Sequence, residues 1–230
     1  MYRTSPTRRR SSGCSGRLIM AAVIVVFSLF SYFSSRQDNP VTGETQYIDI
    51  TPEQEIALGL EAAPQMAQEF GGLDENPNDQ AMVDEIGNRI VQSSSAGNSP
   101  YVFDFHLLDD DQTINAFALP GGQIFITRAL YDKLQTEGEL AGVLGHEIGH
   151  VVARHSAEHI AKAKLTEGLT GAAVIASYDP DNPSSASRAQ IAVLIGQLIN
   201  LKFGREDELE SDYLGVCFIN DAGYDPNELI

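Results

Sequence analysis

The sequence predicts a mainly helical α+β domain with a small β-hairpin, preceded by one apolar helix at the N-terminus. Three observations carry this. Sixteen residues, Leu18 to Phe33, contain no charge and follow an arginine-rich leader. Apolar residues recur at spacings of three and four in several later stretches, the pattern of a helix with one buried face. Between those stretches lie the alternating segment YVFDFHLLD and the run INAFALPGGQIFITR, whose Pro-Gly-Gly separates two short β-prone pieces.

The leader comes first. The apolar run would rise roughly 24 Å as a helix, slightly short of a hydrocarbon core but extendable through Gly16, Ser34 and Ser35. Basic residues precede it, which places the N-terminus in the cytoplasm and everything after Arg36 on the far side. No clean small-residue cleavage site follows, so an uncleaved anchor (residues 18–35) is favoured over a signal peptide, with an organellar presequence as a third alternative. Residues 1–17 then form a basic leader and 36–50 a polar linker. Residues 51–230 form the folded domain.

Within that domain Thr51-Pro52 opens a helix as N-cap and first-turn proline. Its predicted stripe is Ile56, Leu60, Ala63, Ala67 and Phe70, with Pro64 marking a possible kink or break and Gly71-Gly72 the stop. A second helix runs from about Asp79 to Val91, with Met82, Val83, Ile86 and Ile90 on one side. The segment SSSAGNSP is a loop. A partly buried strand covers Tyr101 to Leu108, with His106 read as a surface or turn-proximal residue. Phe117–Leu119 and Gln123–Thr127 pair around Pro120-Gly121-Gly122. A short helix holds Leu130 and Leu134. Thr136 and Glu139 form a capping box for a long helix reaching about Lys164. Two last helices are expected around Gln190–Phe203 and Glu206–Asn220, before a turn at GYDP.

Charge and cysteine content exclude some functions. Of 15 Lys+Arg, six lie in the first 36 residues beside no acid, leaving nine against 32 Asp+Glu and a net of -23. Such a surface repels phosphates, so nucleic acid is not an expected partner. Cys14 and Cys217 flank the apolar run and are not expected to pair.

The chemistry centres on VLGHEIGHVV. On a helix His146 and His150 lie about 40° apart, so both rings turn toward one ion, and Glu147 stands about 100° from His146. Glu147 thereby reaches a water on the metal without coordinating it. A helix with two histidines and a glutamate by coincidence is the competing reading. A third histidine at position 156 would make a metzincin, but Ser156 stands there. On this helix His155 and His159 fall about 180° and 220° from His146, facing away as polar-surface or structural residues. The remaining donors are the carboxylates of FGREDELESDYLG: Glu206, Asp207, Glu208, Glu210 and Asp212. Glu208 and Asp212 share a face, so one could bind metal while the other orients a histidine. Chemistry alone does not choose among the five.

Three motifs in order, INAFALPGGQIFITRAL, LAGVLGHEIGHVVARH and FGREDELESDYLG, resemble the HtpX / CAAX prenyl protease family of zinc metallopeptidases. The likeness is greatest to its membrane-linked mitochondrial and bacterial-envelope quality-control branch, and it covers roughly Pro52 to Pro226. The resemblance implies a zincin-like core with the small sheet beside the HExxH helix, and one Zn²⁺ per subunit. It implies His146, His150 and Glu208 as ligands, Asp212 behind them, and Glu147 as general base. Ser211 stands where many members have alanine. The resemblance also implies that an edge strand, here Gln123, Ile124 and Phe125 with Asn115 ahead of it, holds substrate by strand addition. The expected function is a membrane-anchored zinc metalloendopeptidase acting on misfolded or damaged membrane or envelope polypeptides. Its expected setting is the bacterial inner membrane facing the periplasm, with secretion after cleavage or the mitochondrial inner membrane as alternatives. Envelope partners or a homo-oligomer are possible assemblies. An inactive tethered chaperone or scaffold with structural zinc, and a zinc hydrolase of non-peptide substrates, are the competing functions. Family members often continue past the GYDP turn, so the chain is expected to be a fragment or a minimal form. The segment Gly168–Ala176 with the loop to Ser187 is a candidate lid.

Overall fold

A computed structural model describes residues 12–177 and 203–228. The expected helix at Gln190–Phe203 and most of the candidate lid loop lie outside the described residues. The chain divides into two compact units, residues 1–35 with 161–201 and residues 36–160 with 202–230.

The first unit is built on α1 (Ser12–Ser34). Its Gly16–Ser34 portion has mean hydropathy 2.0 over 19 residues and is long and apolar enough to cross a membrane. Its large side chains, Phe27 and Phe30 among them, lie exposed. Gly168–Ala176 falls inside the long helix α6 (His155–Ser177) and is not a separate element. Gly168 sits directly against Ser28 of α1.

The second unit begins with an antiparallel pair, β1 (Arg36–Asp38) and β2 (Thr45–Tyr47). This corrects the expectation of a linker over 36–50. The polar residues there serve a buried purpose: Asn39 Nδ2 donates to Val152 O at 2.8 Å, and Gln46 Nε2 donates to Ala153 O. Both side chains are buried. They satisfy carbonyls that a helix end would otherwise leave without partners.

Next, α2 (Pro52–Glu69) starts with the expected N-cap, a Thr51–Gln54 capping box, and continues through Pro64 without a break. The proline removes only the N–H that would otherwise bond the Leu60 carbonyl, on an exposed stretch of the helix. The buried face is centred on Glu55 and Gly59, not on Leu60. Helix α3 (Pro77–Ser93) is capped by Asn76 and buries Val83, Ile86, Gly87 and Ile90, while Met82 stays exposed.

The three-stranded sheet has the order β3-β5-β4. Strand β3 (Asp104–Leu108) runs parallel to β5 (Gln123–Thr127), and β4 (Ala116–Ala118) runs antiparallel to β5. The expected hairpin is therefore present, with β5 as its inner strand. Gly121 (φ +83°) turns the hairpin where an added Cβ would strike the α2 backbone at Ile56, so the turn nests on that helix.

Helix α4 (Arg128–Tyr131) leads to α5 (Glu137–Val152), capped by Thr136 as expected, with Glu139 N donating to Thr136 Oγ1 at 3.1 Å. Helix α5 does not reach Lys164. Arg154 takes φ +61°, the single non-glycine residue in that region among the described residues, and α6 starts afresh at His155. Helix α7 (Arg205–Asp221) packs along α5. The core joins α3, the sheet, α5 and α7 through residues such as Ile86, Phe105, Ile124, Leu144, Ile148 and Phe218.

Candidate metal centre

The packing of α5 on α7 creates the site. Gly145 and Gly149, one turn apart, face α7. A Cβ on Gly149 would lie 2.7 Å from Ser211 Oγ, and one on Gly145 2.7 Å from Ile219 Cγ2. Without side chains at these two positions the helices approach closely. The buried Ser211 hydroxyl donates to the His146 carbonyl and locks the register of the two helices. That register sets Glu208 opposite the two histidines.

His146 Nε2 and His150 Nε2 are 3.0 Å apart, with their rings nearly perpendicular. Glu208 Oε2 is 3.5 Å from His146 Nε2, and its Oε1 is 3.9 Å from His150 Nε2. All three donors lie within 4.8 Å of one another. A tetrahedral ion with ligands at about 2.0–2.2 Å requires donors about 3.3 Å apart, so the set suits one small divalent cation. Three protein donors also leave a fourth position for water or substrate.

The opposite ring nitrogens are held as well. His146 Nδ1 is 2.8 Å from Asp212 Oδ1, where the shared face of Glu208 and Asp212 predicts it. His150 Nδ1 is 2.8 Å from His155 Nδ1, and His155 Nε2 is 3.2 Å from Glu210 Oε2. Phe203 stacks on the His150 ring at 4.2 Å between centroids. His159 pairs with Asp207 at 2.9 Å. Among the described residues, the clustered donors are His146, His150 and Glu208, without His155 or His159. The reason given for excluding His155 fails, however. The helix breaks at Arg154, so His155 folds back beneath His150 and is 1% exposed. Its burial and Glu210's part escape a reading that assumes a continuous helix.

Burial dominates the electrostatics. It pushes His150 down to about 3, with the neighbouring His146 and His155 adding to the effect, so the ring is neutral and its lone pair available. Burial also pushes the Glu147 carboxyl up to about 8, with the negative charge of Glu208 next in importance.

The expected substrate strand needs correction. Gln123, Ile124 and Phe125 sit in β5, paired on both sides and buried. His106 Nε2 donates to Gln123 Oε1 at 2.9 Å, and Phe125 stacks between His106 and Phe117. His106 is thus tied to the sheet. Asn115 stands at the head of β4, its backbone paired with Thr127.

The sequence pattern of Peptidase family M48 matches residues 77–230. This chain belongs to that family. It is 29% identical over 228 residues to the mitochondrial metalloendopeptidase OMA1 of Schizosaccharomyces pombe, covering 98% of this chain and 63% of that protein. It is 31% identical over 195 residues to a putative beta-barrel assembly-enhancing protease of Vibrio cholerae, covering 83% of this chain and 39% of that one. With the beta-barrel assembly-enhancing protease of Escherichia coli strain K12 the identity is 30% over 157 residues, 64% of this chain and 30% of the relative. The M48 chain described here therefore spans less than two thirds of the length of these relatives.

Proposed function

We propose that this chain is a membrane-anchored zinc metalloendopeptidase, with His146, His150 and Glu208 as zinc ligands and Glu147 as general base. The observation that carries this is the convergence of the three donors while the far nitrogen of each histidine is held by its own partner. Zinc, when bound, supplies Lewis acidity for the scissile carbonyl and the attacking water, and its charge favours the ionised form of Glu147. Glu147 accepts the proton of the attacking water at its carboxylate and returns it to the leaving amine nitrogen. Three protein ligands argue against a structural zinc site in a scaffold, since such sites close with four.

Substrate binding is proposed at β4. The Asn115 carbonyl accepts from Thr127 N, and Leu119 N donates to the Gln123 carbonyl. By the alternation of an antiparallel ladder, Ala116 and Ala118 then turn their N–H and C=O groups away from β5. Among the described residues no strand covers that edge. An extended peptide added there gains main-chain hydrogen bonds with little demand on side-chain identity, which suits misfolded polypeptides.

Helix α1 is proposed as the anchor, with the basic leader in the cytoplasm and the metallopeptidase domain, residues 36–160 with 202–230, on the far side. Within family M48 we propose the membrane-linked HtpX / CAAX prenyl protease group, on the strength of the three sequence motifs. The test is zinc content together with cleavage of an unfolded protein. Wild type is expected to hold one zinc and cleave, and Glu147→Gln to hold zinc and not cleave. Cleavage by the variant at the wild-type rate would refute the assignment.

A further inference from the structure

The pair His155 and Glu210 remains without a role in the mechanism. We propose that they are positioning residues for His150, a hydrogen-bonded line that fixes the tautomer leaving His150 Nε2 free to bind metal. The inference rests on the metal-site reading above.

The facing Nδ1 atoms of His150 and His155, 2.8 Å apart, share one proton, so one ring donates and the other accepts. Two arrangements exist for neutral rings. In one, His155 donates from Nδ1 to His150 Nδ1. His150 then carries its proton on Nε2, aimed at the His146 and Glu208 donors, and His155 turns a bare Nε2 lone pair toward the Glu210 carboxylate 3.2 Å away. Lone pair against lone pair repels. In the other, His150 Nδ1–H donates to His155 Nδ1, and His155 Nε2–H donates to Glu210. Every contact is then satisfied, and His150 Nε2 presents a lone pair to the metal position. Glu210 selects this second arrangement.

The use of an imidazole between ligand and carboxylate follows from burial. His150 has a 3% exposed side chain and Phe203 stacked on its face, whereas His146 is 22% exposed and is met by Asp212 directly. A carboxylate set against the buried ring would add a desolvated charge. A neutral imidazole accepts the same hydrogen bond at lower cost and leaves the charge on Glu210, 29% exposed. The break at Arg154 makes the contact possible, because residues five apart on an unbroken helix stand about 140° apart.

The test is zinc affinity of the full chain, measured by chelator competition, for wild type, His155→Phe, His155→Asn and Glu210→Leu. The unfolding temperature of each metal-free protein separates folding from binding. His155→Phe is expected to weaken zinc binding about 10–100-fold. His155→Asn, whose amide oxygen can accept from His150 Nδ1, is expected to restore most of it, and Glu210→Leu to weaken it measurably. Unchanged affinity in His155→Phe overturns the proposal, as does equal loss in His155→Asn and His155→Phe. If the phenylalanine variant does not fold, unchanged affinity in Glu210→Leu overturns it. Histidine ¹⁵N NMR of the zinc-loaded protein is expected to find His150 protonated at Nδ1 and His155 at Nε2, and the reverse pattern overturns it. A wild type that binds no zinc defeats the metal-site reading itself, and this proposal with it.

Discussion

Glu55 of α2 and Arg154 form a buried ion pair at the end of helix α5, 99 residues apart in sequence. Arg154 Nε donates to Glu55 Oε1 at 2.9 Å, and Arg154 also reaches the Ile50 carbonyl and Gln37. Tyr101 donates to the other Glu55 oxygen. The pair holds arginine in a left-handed conformation that it rarely adopts, and so it holds the break between α5 and α6.

Removing one member leaves the other charged and buried. Glu55→Ala is expected to destabilise the metal-free protein by about 3–5 kcal/mol, read from urea unfolding. Arg154→Gly suits the backbone angle but loses the pair, and is expected to be destabilised less than Arg154→Ala, which loses both.

The close approach of α5 and α7 is sensitive to one methyl group. Gly149→Ala places a Cβ against Ser211, and overpacking of this kind costs about 1–3 kcal/mol. Because the displaced helix carries Glu208, zinc affinity is expected to fall along with stability. Equilibrium dialysis and thermal unfolding of the same sample check both.

Acid sensitivity is expected at Asp74. Hydrogen bonds from Arg128, at 2.9 Å from Nε and 2.6 Å from the terminal nitrogen, hold its carboxyl below the usual range. A lowered folded-state value contributes stability above the unfolded value of about 3.9, and that contribution is lost as pH falls through the folded value. Asp74→Asn is expected to cost roughly 1.5–3 kcal/mol at pH 7, the range for hydrogen bonds to charged groups. The gap from wild type is expected to narrow below about pH 4. Denaturant titrations at several pH values measure it.

If β4 receives substrate, its outward N–H groups matter and its inward ones do not. Ala118→Pro removes an outward donor without touching the ladder to β5, a tolerated place for proline. Cleavage efficiency is expected to drop at least about tenfold with zinc content unchanged, each tenfold corresponding to about 1.4 kcal/mol of transition-state binding. Wild-type kcat/KM in this variant would remove β4 from the substrate site.

Much of the site is legible in local pattern. The helical spacing of His146, Glu147 and His150, the shared face of Glu208 and Asp212, and the caps at Thr51 and Thr136 depend on residues a turn or two apart. What escapes reading depends on distant partners. Nothing near Arg154 announces a left-handed residue, since the cause lies in Glu55. Gln123 to Thr127 reads equally well as an edge or an inner strand, and only the parallel pairing with β3 decides. The amides of Asn39 and Gln46 read as solvent-facing until the carbonyls they serve are in view.

Those two amides bear on how the protein can be dissected. The segment that matches the family begins at Pro77, yet the carbonyls closing α5 are met by Asn39 and Gln46, and the arginine just past its end by Glu55. A polypeptide trimmed to the recognisable segment would carry His146, His150 and Glu208 and lack the residues that fix how the helix ends. A self-sufficient form of this domain is therefore expected to start near Arg36, and residues 36–55 are a structural part of it.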